Sequence, residues 1–263
     1  MDDPSQSTDP APGRDLVGSL DKGLGVMETL ADRPEGMTLT QMAASTGLTR
    51  AGARRLLLTL VAAGYAVQDG RMFRLSPKLL TIARRWLGGA SLWTFAEPFM
   101  REVSGRLNES CSAAVLADQD VVYVARVGST RILSVALNVG TRLPAWCTSM
   151  GRVLAAGLPD RELETFLQRA DLRALTPKSV ASRSALADAI RKAGSDGYAL
   201  VDEELELGLR SIAVPIRTRD GQTVAAINVS TQAARLSAAE LRRDVLPVLR
   251  EAATGIEHYF IMH

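Results

Sequence analysis

The sequence predicts an α+β fold in two parts: a small basic winged helix-turn-helix, and a larger neutral domain on an antiparallel sheet, joined by a connector helix. Three observations predict it. Residues 15–76 carry helix, short helix, glycine turn, helix and hairpin signals in unbroken succession. Residues 77–90 carry a helical pattern that stops at Gly88 and Gly89. From residue 91 onward strand signals come in pairs that bracket helices, whereas a parallel sheet would need strands and helices to alternate one for one.

Composition sets the outer limits. A chain of 263 residues with 46% hydrophobic content can bury a substantial core. No apolar run approaches the roughly eighteen residues of a membrane span, and the opening MDDPSQSTDPAPGR is acidic and polar rather than a basic stub before an apolar core. The expectation is a cytoplasmic chain with no membrane association. Residues 1–14 hold almost nothing to bury and are expected to be a disordered tail. Two cysteines and two histidines, the latter at His258 and His263, leave no basis for a metal site or a cofactor and supply no internal general base.

The net charge of +2 is unevenly spread. Residues 15–90 hold ten Lys or Arg against six acids, whereas residues 91–263 hold twenty of each. Between Thr49 and Arg85, eight basic residues face the single acid Asp69. Such a local field on a small unit points to a polyanion.

The elements follow in order. Leu20, Leu24, Met27 and Leu30 recur at helix spacing until Arg33-Pro34-Glu35-Gly36 stops them. Thr38 or Thr40 can cap a short helix that ends at Gly47. In TRAGARRLLLTLVAAGY (49–65), successive residues 100° apart place Ala53, Leu56, Leu57, Leu60 and Gly64 on one side and Ala51, Arg54, Arg55 and Leu58 on the other. Thr49 is the expected N-cap, and the polar tip of such a helix meets base edges and phosphates, so Thr49, Arg50, Ala51, Arg54 and Arg55 are the candidate contacts to double-stranded DNA. A hairpin turning at Asp69-Gly70 would carry Arg71 and Arg74 to the neighbouring backbone as a wing. Ser76-Pro77 then opens the connector, where Arg84 and Arg85 are either further phosphate contacts or a solvated face.

In the second domain, a helical pattern over 95–107 precedes strands over 111–117 and 121–127, and a third strand is expected over 132–137. Residues 143–157 read as a polar loop entering a small-residue helix. Helices over 160–169 and 183–193, a strand at 197–201, a hairpin over 212–231, and a closing helix opened by the Ser237/Glu240 capping box complete the domain. Cys147-Thr148-Ser149 is the one cluster of nucleophile types, but no glycine stands two before Ser149 and no internal histidine activates it, so no catalytic residues are assigned. Hydroxyls and amides at a helix start suit an anion, although the same hydroxyls also suit simple capping.

LNVGTRLPAWCTSMGRVLAAGL (137–158), VDEELELGLRSIAVPIR (201–217) and VAAINVSTQAAR (224–235), behind the basic two-helix unit, resemble the IclR family of transcriptional regulators, and most closely its branch controlling protocatechuate, 4-hydroxybenzoate and β-ketoadipate catabolism. The resemblance implies a GAF-like effector-binding domain over 91–263, a small organic-acid effector, a homodimer or tetramer, and an operator as partner. It also implies a pocket lined around Trp146, Thr148, Ser149 and Met150 and around Leu209 to Ser211, with Asn228 and Ser230 as neighbours. An aromatic acid would want an apolar wall from Met150, Trp146 and Leu209, and for its carboxylate Ser149, backbone amides, Arg142 or Arg210. A small 2-oxo acid is the alternative effector. The chain departs from many relatives at Ala51 and Gly52, where Ser or Thr is common.

Overall fold

The computed structural model describes residues 17–88, 92–129 and 137–262. The expected tail over 1–14, the side chains of Arg84 and Arg85, and all but the last residue of the strand expected over 132–137 lie outside the described residues. The chain divides into two compact units, 1–89 and 90–263.

The first unit runs α1 (Gly18–Ala31), β1 (Met37–Thr38), α2 (Leu39–Thr46), α3 (Arg50–Ala62), β2 (Ala66–Asp69), β3 (Met72–Leu75) and α4 (Lys78–Gly88). Thr38 caps α2 in a full capping box with Gln41, and Gly47, with φ +68°, ends it. Val26, Leu30, Met42, Ala53, Leu57 and Phe73 form the centre of one buried cluster. Leu56 and Leu58 are both half-buried at its edge, so the expected division between an inner Leu56 and an outer Leu58 is blurred. The sequence pattern missed β1, which pairs Met37 with Phe73 and makes a three-stranded sheet of order β1-β3-β2. A two-residue strand has no periodicity to detect. Gly36 makes it possible: its φ is +92°, and a Cβ there would lie 2.7 Å from the Phe73 carbonyl oxygen. At the start of α4, the Lys78 ammonium donates to the Ala63 carbonyl at the end of α3 (2.6 Å) and lies 4.5 Å from the Tyr65 ring centroid.

The second unit opens with α5 (Leu92–Leu107), β4 (Ser110–Ala117), β5 (Asp120–Val127) and β6 (Arg142–Pro144). A 3₁₀ turn (Ala145–Cys147) then leads into α6 (Ser149–Ala155), α7 (Asp160–Arg169), α8 (Arg183–Asp196), β7 (Ala199–Asp202), β8 (Leu209–Arg217) and β9 (Thr223–Gln232). The strands form a six-stranded sheet of order β6-β5-β4-β9-β8-β7, antiparallel throughout, as an α+β domain requires. The 4–5 ladder shifts register between Ala113 and Ala114, so Ala114 faces Tyr123 and Ala113 faces Ala125. That bulge reverses the inward and outward alternation along β5.

The capping box at Ser237 opens α9 (Ala238–Glu240), after which one π turn (Leu241–Val245) precedes α10 (Leu246–Glu257) and α11 (Tyr259–Met262). The expected single closing helix is thus interrupted. Pro247 has no N–H to return to the carbonyl of Arg243, and the Leu246 N–H reaches back to Leu241 instead.

Candidate functional site

Helix α3 presents the arginine-tipped end that the residue spacing predicts. The Thr49 hydroxyl accepts the Gly52 N–H at 3.1 Å and fixes where the helix begins. Ala53 and Leu57 are fully buried beneath it, while Thr49, Arg50, Ala51, Arg54 and Arg55 are exposed. The Gly52 departure also has a local reading, since a Cβ there would meet the capping hydroxyl at 3.1 Å. On the hairpin formed by β2 and β3, Arg71 and Arg74 are exposed as well. Arg74 makes a 3.4 Å pair with Asp69, a contact between solvated groups that contributes little. Among the described residues, the side chains of Arg50, Arg54, Arg55 and Arg71 make no ion pair or hydrogen bond, so these guanidinium groups are available to an external anion.

The second unit contains a cavity of about 40 Å³ bordered by the start of α6, the inner face of the sheet and the loop after β7. It brings together Thr148, Ser149, Leu209, Ser211, Asn228 and Ser230 of the residues named from the sequence. The register explains the strand contributions, because Ser211 pairs directly with Ser230 and both share a face with Asn228, two residues along. Asn228 donates its side-chain N–H to the Ser230 hydroxyl at 3.1 Å.

The two hydroxyls at the α6 start have separate fates. Thr148 caps the helix, accepting from the Gly151 N–H at 3.1 Å and donating to the Ala145 carbonyl. Ser149 is 1% exposed, and its hydroxyl has no partner among the described residues. A buried polar group of that kind is normally hydrogen-bonded, which sets Ser149 apart from the other hydroxyls around the cavity. Gly151 sets the fit of the turn: a Cβ there would lie 2.0 Å from the Ala145 carbonyl oxygen, so the 3₁₀ turn and α6 are in backbone contact.

Four expected residues lie elsewhere. Trp146 and Met150 are 4% and 1% exposed and belong to the hydrophobic cluster packed around α6, so they support the cavity wall from behind instead of forming it. Arg210 is held by Asp202 through two bonds of 2.7 and 3.0 Å and donates to the carbonyls of Ala233 and Leu236, which commits its fork to the structure. Arg142 is on the edge strand β6, half exposed, and bonds Asp120 at 3.1 Å. Neither arginine borders the cavity, which corrects the expectation that one of them meets the carboxylate.

Sequence reasoning missed Tyr123, Leu137, Leu143, Cys147, Val201 and Leu205 as lining residues. Tyr123 was hidden by the bulge on β5, and Leu205 lies in a loop with no period to place it. Burial pushes the Tyr123 phenol up to about 12 against the pull of the nearby Arg126 charge. Burial, helped by the Glu204 charge and opposed by Arg152, likewise pushes the Cys147 thiol to about 12. A thiol held protonated beside a hydroxyl with no base is no nucleophile. Arg152 itself is buried in an ion pair with Glu204 (2.5 Å), which also accepts the Val180 N–H, tying the loop after β7 to α6. Among the described residues no group of His, Cys, Asp and Glu has the makings of a metal site, and no helix is long and apolar enough to cross a membrane.

Comparison with known proteins accounts for both units. Residues 19–70 match the IclR helix-turn-helix domain, and residues 85–258 match the model described as bacterial transcriptional regulator IclR C-terminal. The Pca regulon regulatory protein of Pseudomonas putida is 41% identical over 245 residues, covering 93% of this chain and 84% of that protein. The p-hydroxybenzoate hydroxylase transcriptional activator of Acinetobacter baylyi is 33% identical over 250 residues, covering 93% and 92%. A crystal structure of an IclR homolog complexed with 4-hydroxybenzoate, from Microbacterium hydrocarbonoxydans, superposes with a TM-score of 0.82 at 27% identity, covering 93% of this chain and all of that one.

Proposed function

The chain belongs to the IclR family of bacterial transcriptional regulators, and we propose that it is a dimeric or tetrameric, cytoplasmic repressor or activator whose grip on operator DNA is set by a small aromatic carboxylic acid. The reading of the DNA contacts rests on Arg50, Arg54 and Arg55, exposed at the capped end of α3 and free of internal partners, with Arg71 and Arg74 on the wing meeting phosphates. The reading of the effector site rests on one observation above all: the buried Ser149 hydroxyl, without a partner among the described residues, in a cavity whose other polar groups are the Tyr123 phenol, the Cys147 thiol, Thr148, Ser211, Asn228 and Ser230. The relatives and the 4-hydroxybenzoate complex support an aromatic acid as the occupant.

At about 40 Å³ the cavity is tight for a substituted ring, so binding has to move a wall. Leu205, on the loop between β7 and β8, and Leu209, the first residue of β8, are the half-buried side chains placed to yield. A ligand that stabilises the opened wall favours one conformation over the other, which is what control of DNA affinity requires.

The test is fluorescence anisotropy on a duplex that the protein itself selects from a random pool, titrated with and without 4-hydroxybenzoate. Arg55→Ala should lose about 1–3 kcal/mol of affinity and relax selectivity at one base position. Wild-type affinity in that variant, or operator binding indifferent to every aromatic acid tried, overturns the proposal.

A further inference from the structure

A positive charge would hold a carboxylate more strongly than hydroxyls and amides alone, and the cations near the cavity are mostly spent. Arg210 is committed to Asp202, Arg142 to Asp120, and the buried Arg152 to Glu204. Arg126 is different. It is half-buried on β5, and among the described residues the one hydrogen bond of its side chain is a long 3.4 Å donation to the Ser110 hydroxyl. No carboxylate pairs with it among the described residues.

The bulge between Ala113 and Ala114 decides which way Arg126 faces. Strict alternation from Tyr123, a cavity residue, would put Arg126 on the opposite face of the sheet. With the register shifted, Ser112 pairs with Arg126 and Ala114 with Tyr123, so both β5 residues share the cavity face. Ser110 is on that same face and pairs directly with Ser230, one of the cavity residues. Arg126 and Ser110 do not line the cavity in this structure; they continue its sheet face one strand pair beyond Ser230, while the Ser149 hydroxyl belongs to the α6 side.

We propose that Arg126, with the hydroxyls of Ser110 and Ser230, is the carboxylate subsite of the effector cavity, and that Ser149 binds the polar group at the ligand's other end. This rests on the effector reading above and names the side chain that recognises the acid. Four of the five guanidinium N–H donors are unused among the described residues, enough for a two-pronged bond to a carboxylate. Partial burial limits screening by salt, so the charge discriminates an acid from its neutral analogue.

Isothermal titration calorimetry on the full chain tests this with 4-hydroxybenzoate, protocatechuate and adipate as probes, and with Arg126→Gln, Arg126→Lys and Ser149→Ala as variants. Arg126→Gln is expected to weaken the bound probe by roughly 10- to 100-fold. Arg126→Lys keeps the charge without the fork and should fall between Arg126→Gln and wild type. Neutral 4-hydroxybenzamide should bind the wild type and Arg126→Gln alike. Melting of the two unliganded Arg126 variants should stay close to wild type, because Arg126 makes so little contact with the protein. Wild-type affinity in Arg126→Gln together with weakened binding in Ser149→Ala would overturn the subsite and leave the effector reading standing. If adipate alone binds, the aromatic reading falls and Arg126→Gln against adipate decides the subsite. If none of the three binds, both fall.

Discussion

Replacing Ser149 with alanine should make the unliganded protein more stable and its hold on the effector weaker. The hydroxyl is buried and bonded to nothing in the protein, so its removal breaks no hydrogen bond. Leaving a buried hydroxyl unsatisfied costs about 1–3 kcal/mol, and the lower end applies because the adjoining cavity is roomy enough for solvent. Alanine is also the better helix former by up to about 0.5 kcal/mol at the first position of α6. Together these give about 1.5 kcal/mol, or a rise of roughly 3–6 °C in the melting temperature of a unit this size. Scanning calorimetry and urea unfolding read that gain, and titration with 4-hydroxybenzoate reads the loss. A lower midpoint in the variant, or unchanged affinity, would show that the hydroxyl already has a partner and refute the assignment of Ser149 to the ligand.

Arg71→Ala should weaken binding to all duplexes about equally and reduce the slope of log affinity against log salt by about 1, as expected of a phosphate contact; anisotropy titrations across a salt series measure both. Glu204→Ala leaves Arg152 buried without its counter-charge and should cost about 3–5 kcal/mol in urea unfolding, most of it recovered when Arg152→Met is added. Stability should also fall at high pH. Burial holds the Cys111 and Cys147 thiols at about 12, against the ordinary 9.0 they regain on unfolding. Folded thiols therefore keep protons that unfolded ones release, and the stabilisation present below pH 9 is lost as pH rises toward 12. The decline should be about 1 kcal/mol per thiol between pH 9 and 10, followed by urea midpoints, and a flat profile in a Cys111→Ala, Cys147→Ala double variant is the control.

Sequence legibility tracked the range of the interactions. The caps at Thr38, Thr49 and Ser237 act within three residues, and each was readable because its partner is local. Both hairpin turns and the arginine-tipped face of α3 follow from period and turn chemistry alone. The arginines of the second unit were opaque for the opposite reason. Nothing near Arg142 announces Asp120, twenty-two residues away, and nothing near Arg152 announces Glu204, fifty-two away, so charge alone did not separate committed cations from free ones. Arg126 was concealed further by a single-residue register shift that no alternation pattern records. Ser149 and Thr148 looked interchangeable in sequence, and only the folded backbone shows that one is used up by the helix and the other is not.

The close seating of Gly151 on Ala145 bears on how a signal leaves the cavity. With no side chain between the two backbones there is no cushion to compress, and packed interiors yield little. If the proposed effector presses on Ser149, the 145–155 stretch is expected to move as one stiff lever. The displacement arrives at Trp146, and through Pro144 at the outermost strand, instead of dying out within the helix.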